Sequence, residues 1–339
     1  MIALHLLALC AGLTPPPADP PRDGTLVRGM TISCQTWGQE WGTDGFGREL
    51  DELVRLGVNW VAIHPYARIH ADGALTWRAL DPDAPPDWIA RPIRAAHARG
   101  LSILIVPHVA QWGSPWRHRG EIRFDEEARL ERFFGDYRRW IVELAGAARG
   151  ADALAVASEL DGLARHEDRW RGVIRDLRAA TDARLTWAAS WDSYREVRFW
   201  DAVDAVGVQA YFPLSERADP DAGELAAAWR PVLADLRELH ARTGKPVVFT
   251  ELGYNRSLAA AREPWAFATE RGAAAARAEA LQVRCLEAAL SSIAPESGWL
   301  RGAILWKWFV GPAPGENFLL QAPATRAAIA RSWAGGGPR

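Results

Sequence analysis

Two hydrophobic rhythms alternate along this chain. Short continuous apolar runs are followed by longer segments whose apolar positions recur every three or four residues. The runs at 27–34 (VRGMTISC), 58–64 (VNWVAIH), 101–106 (LSILIV), 151–158, 185–189, 204–210, 246–250 (PVVFT) and 302–306 predict eight strands. Helical spacing predicts helices over 45–56, 87–99 (closed by Gly100), and from Asp125 through Leu144. Further helices are predicted around Trp170 to Leu177, briefly near Phe199, from Leu225 to Leu239 (closed by Gly244), over 270–290, and over 323–333. Several starts carry Asp, several stops carry Gly, and Pro323 suits a first helical position.

Strands that are apolar throughout, each followed by a helix, belong to a parallel sheet covered on both faces. Eight such units predict an α/β fold, a single (β/α)8 TIM barrel over 26–334. An open doubly wound sheet is the alternative. Against it, no Gly-x-Gly-x-x-Gly follows the first strand, where a nucleotide fold places it.

The ends read differently. Residues 2–13 are apolar except for His5, and prolines crowd 15–21. The pattern of 1–25 is that of a signal segment and Pro-rich linker, so a secreted or periplasmic location is expected. A ragged start on a cytoplasmic protein is the alternative. Residues 335–339, Gly-rich, are expected to be a flexible tail.

Composition narrows the function. Of 339 residues, 40 are basic and 42 acidic, a net charge of -2 that disfavours a phosphate-gripping nucleic-acid binder. No apolar run is long enough to span a membrane. The cysteines, Cys10, Cys34 and Cys285, match no zinc or redox spacing, and Cys34 and Cys285 are expected to be unlinked. Only two of the basic residues are lysines, Lys245 and Lys307, whereas tryptophans number 18.

In a barrel, chemistry sits at the C-terminal ends of the strands. Those ends carry Gln35-Thr36-Trp37, His64-Pro65-Tyr66, His108 with Gln111 and Trp112, Ser158-Glu159, Ser190-Trp191-Asp192, Gln209-Ala210-Tyr211, Thr250-Glu251 with Tyr254 and Asn255, and Trp306-Lys307-Trp308. Glu159 and Glu251 each follow an apolar run, at strands four and seven, which face one another across the mouth. A carboxylate there needs a partner or a task, because desolvating its charge is costly. Two together can flank a glycosidic bond, one protonating the leaving oxygen and one attacking the anomeric carbon. Strand-end aromatics suit the C–H faces of sugars, although any one of them can be rim packing. Trp140, Trp170, Trp229 and Trp333 lie on helix faces and read as core.

His64 and His108 end adjacent strands. They can contact substrate hydroxyls or orient a carboxylate, be buried structural residues, or hold a metal. No His-x-His on strand one and no His-Glu-x-x-His helix supports the metal, so none is expected. Lys307 is either a wall ion pair or a substrate contact, and pleating turns it away from the side Trp306 faces.

The strings GMTIS, LGVNWVAIHPY, PHVAQW, ASEL, GVQAYFPL, VVFTELGY and LWKWF resemble glycoside hydrolase family 113, within the clan of (β/α)8 retaining hydrolases. The resemblance implies a cofactor-free endo-acting hydrolase of β-1,4-mannan or manno-oligosaccharides. Glu159 would be the acid/base, Glu251 the nucleophile, Tyr211 a hydrogen-bond donor to it, and Trp306 the floor under the sugar. Trp37, His64, Tyr66, His108, Ser158, Trp191, Gln209 and Asn255 complete the expected substrate-binding set. Two positions depart from the clan pattern: Ser158 stands where Asn is common, and Gln209 where Asp is common. Alternatives are a non-catalytic carbohydrate-binding barrel, a clan hydrolase of another glycan, and a metal-dependent hydrolase. The expected partner is an oligo- or polysaccharide, and the chain is expected to be a monomer.

Overall fold

The computed structural model describes residues 25–334. The expected signal segment and linker (all but residue 25) and the 335–339 tail lie outside them. Eight parallel strands close a barrel in chain order: β1 (Val27–Ser33), β2 (Trp60–Ile63), β3 (Ser102–Ile105), β4 (Ala153–Ser158), β5 (Arg184–Ser190), β6 (Ala205–Gln209), β7 (Val247–Leu252) and β8 (Leu300–Phe309). Strand β8 pairs with β1 to complete the ring, with Val27 opposite Gly302. Gly302 has φ 109°, and a Cβ there would stand 2.2 Å from the Val27 carbonyl oxygen, so closure requires glycine.

Around the barrel run α1 (Asp44–Arg55), α2 (Asp87–His97), α3 (Glu127–Ala147), α4 (Glu167–Ala180), α5 (Ala222–Thr243), α6 (Ala275–Ile293) and α7 (Pro323–Ala334). The expected short helix near Phe199 is a 3-10 turn, Trp200–Ala202, preceded in the same connection by a second, Tyr194–Glu196. The connection from β5 to β6 is short and rich in buried Val and aromatic residues (Val197, Phe199, Trp200, Val203), which fill the gap by packing around 3-10 turns rather than with an α-helix.

Pleating sorts the side chains into two cores. Leu104 and Val106 meet Ala62, Ala155, Ala188 and Ile304 in the barrel interior. Ile103 and Ile105 join the larger core shared with the helices, where Trp140, Trp170, Trp229 and Trp333 are buried as expected. A small second sheet was not anticipated. Tyr66–Ile69 pairs antiparallel with Leu75–Trp77 and parallel with His108–Ala110, extending the barrel wall beyond β2 and β3. Its register sets Tyr66 beside His108.

Cys34 and Cys285 are free thiols. Among the described residues no helix is long and apolar enough to cross a membrane.

Candidate active site

Breaks in strand register place the two glutamates. Along β7, Val247 and Phe249 belong to the core facing the helices, and strict alternation would send Glu251 the same way. The pairing with β6 slips between Phe249 and Glu251, so one extra residue reverses the parity. Glu251 thereby faces the mouth. The β4–β5 ladder slips too, between Ala155 and Ser158. Glu159 then leaves β4 with left-handed backbone, φ 52°, a conformation unusual for a residue with a Cβ and found disproportionately at functional sites.

The surroundings of the two carboxylates differ. Glu251 Oε2 accepts a 2.6 Å hydrogen bond from the Tyr211 hydroxyl. His108 Nε2 stands 3.6 Å from its other oxygen, and the carboxylate is only 6% exposed. Glu159 is 14% exposed and faces two donors: Arg119 Nη1 at 3.0 Å and His118 Nε2 at 3.4 Å. His118 itself is half exposed, and its Nδ1 accepts a hydrogen bond from the Gly120 backbone N–H at 3.1 Å. That bond leaves the ring proton of neutral His118 on Nε2, directed at Glu159.

The acidities follow. Burial pushes Glu251 up to about 7, the charge of Glu159 adds to this, and the Tyr211 hydrogen bond only partly offsets it. Burial would raise Glu159 too, but the hydrogen bond from His118, with the charge of Arg119, outweighs it and holds Glu159 below its ordinary value. Burial thus favours the protonated form at Glu251, whereas the neighbours of Glu159 favour its ionised form.

Aromatic rings wall one side. His64 stacks on His108 at 4.8 Å and contacts Tyr66 and Trp306. Trp37, itself at φ 60°, packs edge-on to Tyr66 and Trp112. Burial pushes His64 down to about 3, with help from the charges of Lys307 and Arg119, so the ring is neutral. His108 is held neutral in the same way, first by burial. Both ring nitrogens of His64, Arg119 Nε and Gln111 Oε1 are buried without a hydrogen-bond partner. Buried polar atoms are rarely left so, and of these His64 stacks on the His108 that stands beside Glu251 while Arg119 contacts Glu159.

Other expected residues fall at varying distances from this centre. Gln209 donates to Ser158 Oγ at 3.1 Å and accepts from Thr250 at 2.9 Å. The two departures from the clan pattern thus meet each other, the longer amide reaching the shorter hydroxyl. Trp191 stands apart from the Trp37 cluster and stacks on Trp265 at 5.2 Å. Asn255 does not face the mouth. Its amide donates to the Glu263 carbonyl oxygen at 2.6 Å and its oxygen accepts from Ser257, so it is spent shaping the loop after β7. Trp308, another strand-end aromatic, is buried toward α1, donating to Glu49 at 2.8 Å.

Lys307 departs from the pleating expectation. The β1–β8 register shifts between Leu305 and Trp308, and Lys307 Nζ lies 5.1 Å over the Trp306 ring. Trp306 and Lys307 are joined by a cis peptide bond. Lys307 has no carboxylate partner among the described residues, so the wall ion pair does not form. Burial lowers its pKa, against the pull of the Glu251 charge. His118, Arg119 and Trp265 were not singled out from sequence. They sit in loops of no recognisable motif, and only their nearness to strand ends could have drawn attention.

Among the described residues no cluster of three or more His, Cys, Asp or Glu side chains could hold a metal ion.

The profile of Glycoside Hydrolase Family 113 matches residues 30–315. Among solved structures, the GH113 β-mannanase AaManA from Alicyclobacillus acidocaldarius, in complex with ManMIm, is similar. It is 26% identical with a TM-score of 0.78, covering 92% of this chain and 98% of that one. Two structures of GH113 β-1,4-mannanase, each 19% identical, share the fold with TM-scores of 0.77 and 0.76, both covering 91% of this chain and 99% of the other. No curated protein sequence matches significantly. A profile match over most of the barrel, both strand-end glutamates included, leads to one conclusion: the chain belongs to Glycoside Hydrolase Family 113, and is a glycoside hydrolase.

Proposed function

We propose that this enzyme cleaves β-1,4-mannan or manno-oligosaccharides with net retention. Glu159 serves as acid/base and Glu251 as nucleophile. Three supports bear on the substrate and the cycle: the mannanase named in the 26%-identical structure, the two mouth-facing glutamates, and the partnerless polar atoms beside an aromatic wall.

The observation that carries the roles is the unequal access of the two carboxylates to solvent. An acid/base gives up a proton and takes another each turnover, so it needs a route to water. Glu159 has one through half-exposed His118. Glu251 is enclosed by Tyr211 and His108, dry surroundings suited to a covalent intermediate.

In the first step a Glu251 oxygen bonds to the anomeric carbon. The glycosidic C–O bond breaks, and the Glu159 proton passes to the leaving oxygen. In the second, Glu159 removes a proton from water, the water oxygen bonds to the same carbon, and Glu251 departs. The shared proton must lie on Glu159 as the glycosidic bond breaks. Positive charge developing at the anomeric carbon above Glu251 favours the ionised nucleophile and leaves the proton to Glu159. The pair of neutral histidines, Arg119 Nε and Gln111 Oε1 supply donors and acceptors for sugar hydroxyls, and Trp306 lies under the ring.

The test is product analysis with manno-, cello- and xylo-oligosaccharides, with the anomer released followed by NMR. Retained anomers from manno-oligosaccharides are expected. An initially inverted product would overturn the two-step cycle, and preference for another glycan would overturn the substrate.

A further inference from the structure

Behind Glu159, away from the aromatic wall, lies a cavity of about 620 Å3. Volumes of ~300–1,000 Å3 are usual for small-molecule sites. Its floor is built where the loops after β3 and β4 touch backbone to backbone. A Cβ on Gly162 would come within 2.6 Å of the Ile122 carbonyl oxygen and 2.8 Å of that of Gly120. A Cβ on Gly120 would also stand 3.5 Å from the Glu159 carbonyl oxygen, so this floor adjoins the backbone that carries the carboxylate.

The walls are cationic. Arg123, Arg165, Arg195 and Arg198 line the cavity against two carboxylates, Asp161 and Glu196. Arg195 is engaged, its Nη2 lying 2.8 Å from Asp235. Arg123 and Arg165 make single long bonds, to the Glu121 carbonyl oxygen at 3.3 Å and to His166 Nε2 at 3.4 Å. Neither these two nor Arg198 has a carboxylate partner among the described residues, and all three are exposed. Asp161 is held in place by neutral donors, accepting from Ser193 Oγ at 2.5 Å, from Ser190 Oγ, and from the Ser190 backbone N–H at 3.2 Å. Asp161 and Glu196 therefore oppose three guanidinium groups, which leaves the lining with an excess of positive charge.

We propose that this cavity is an anion subsite on the leaving-group side of the cleft, recognising an acidic group carried by the glycan. The placement rests on Glu159 being the acid/base, since that residue must stand beside the leaving oxygen. Guanidinium forks match the planar two-oxygen face of a carboxylate and also grip sulfate and phosphate esters. A cluster of like charge along a cleft raises the local concentration of anionic ligand and makes its binding salt-sensitive. Neutral mannan alone gives three unpaired arginines no task. A chain decorated with uronic acid, sulfate or phosphate does.

The experiment compares kcat/KM for neutral mannotetraose with that for mannotetraose carrying a glucuronate, a sulfate or a phosphate on the reducing half. Wild type and R165E/R198E are assayed at low and high salt. An acidic preference of about tenfold or more in wild type is expected, shrinking toward unity in the variant and at high salt. Which of the three decorations shows it identifies the anion. Direct calorimetric binding of the same four oligosaccharides to E251Q reads the subsite without turnover, and an acidic preference is expected there too. Equal handling of acidic and neutral oligosaccharides by wild type, in both assays, overturns the subsite. Acidic preference in binding with hydrolysis of none of them keeps the subsite and refutes the mannan-hydrolase reading.

Discussion

The two flanks of the cleft are built from different materials. On the side of β1 to β3, Trp37, Tyr66, Trp112, His64 and His108 form a nearly continuous sheet of rings, and burial keeps both histidines neutral. On the side of the loops after β3 and β4, His118 and Arg119 lean on Glu159, and a cationic cavity opens behind them. The neutral flank can cover sugar faces without disturbing the charge on Glu251. The charged flank sets the acidity of Glu159 and connects it to solvent. Division of this kind lets two glutamates of identical chemistry hold different proton affinities a short distance apart.

The sharpest way to break that comparison is to remove each carboxylate. Steady-state kinetics of E251A should show loss of ~10^4-fold or more in kcat with every substrate, because no other group can form the covalent intermediate. E159A should lose ~10^2–10^4-fold on natural oligosaccharides and far less on aryl glycosides whose leaving group needs no proton. Equal losses on both substrate types would contradict the assignment.

A smaller effect separates the flanks. W306A should raise KM by roughly tenfold, through lost stacking on the sugar, with the pH profile unmoved. R119Q should act on the pH profile instead. Arg119 adds to the hydrogen bond from His118 in holding Glu159 below its ordinary value, and in the proposed cycle activity falls as pH rises past the point where the acid loses its proton. Removing the cation should therefore move the alkaline limb upward by about one unit, with R119K restoring part of the shift. A limb that stays in place would show that Arg119 only props the loop.

The smallest effect concerns stability. Glu251 is pushed up to about 7 in the fold, whereas an unfolded Glu titrates near 4.3. The folded protein thus binds more protons across that interval, and this contribution to stability is present below the unfolded value and lost as pH rises through 7. Thermal denaturation between pH 5 and pH 8 should show E251Q gaining on wild type as pH rises, by a few degrees. Glu159, held low, acts in the opposite sense in a more acid range. A difference that does not vary with pH would mean that Glu251 is not strained by its site.

Much of this was legible in the chain. Strand and helix periods gave the barrel, because continuous apolar runs have few ways to be buried other than in a sheet covered on both faces. Glu159 and Glu251 stood out because a carboxylate ending an apolar run contradicts its surroundings. Asn255 misled for an instructive reason: a polar residue just past a strand end can serve the loop as readily as a ligand, and only its hydrogen bonds tell which. His118 and Arg119 gave no signal, since they reach Glu159 across 40 residues or more of sequence from a loop without pattern.

What the amino-acid order determined by itself is the set of local facts: period, caps, strand ends and the residue types found there. What only the tertiary structure decided is which way those residues turn and what they meet. A one-residue slip between strands reverses every side chain beyond it, and such slips in β4, β7 and β8 bring Ser158, Glu251 and Lys307 to the mouth. Register is set by pairing with neighbouring strands across the barrel, so no single segment carries it. The acidity of each glutamate is likewise a property of its neighbours, brought together from distant loops by closure of the ring.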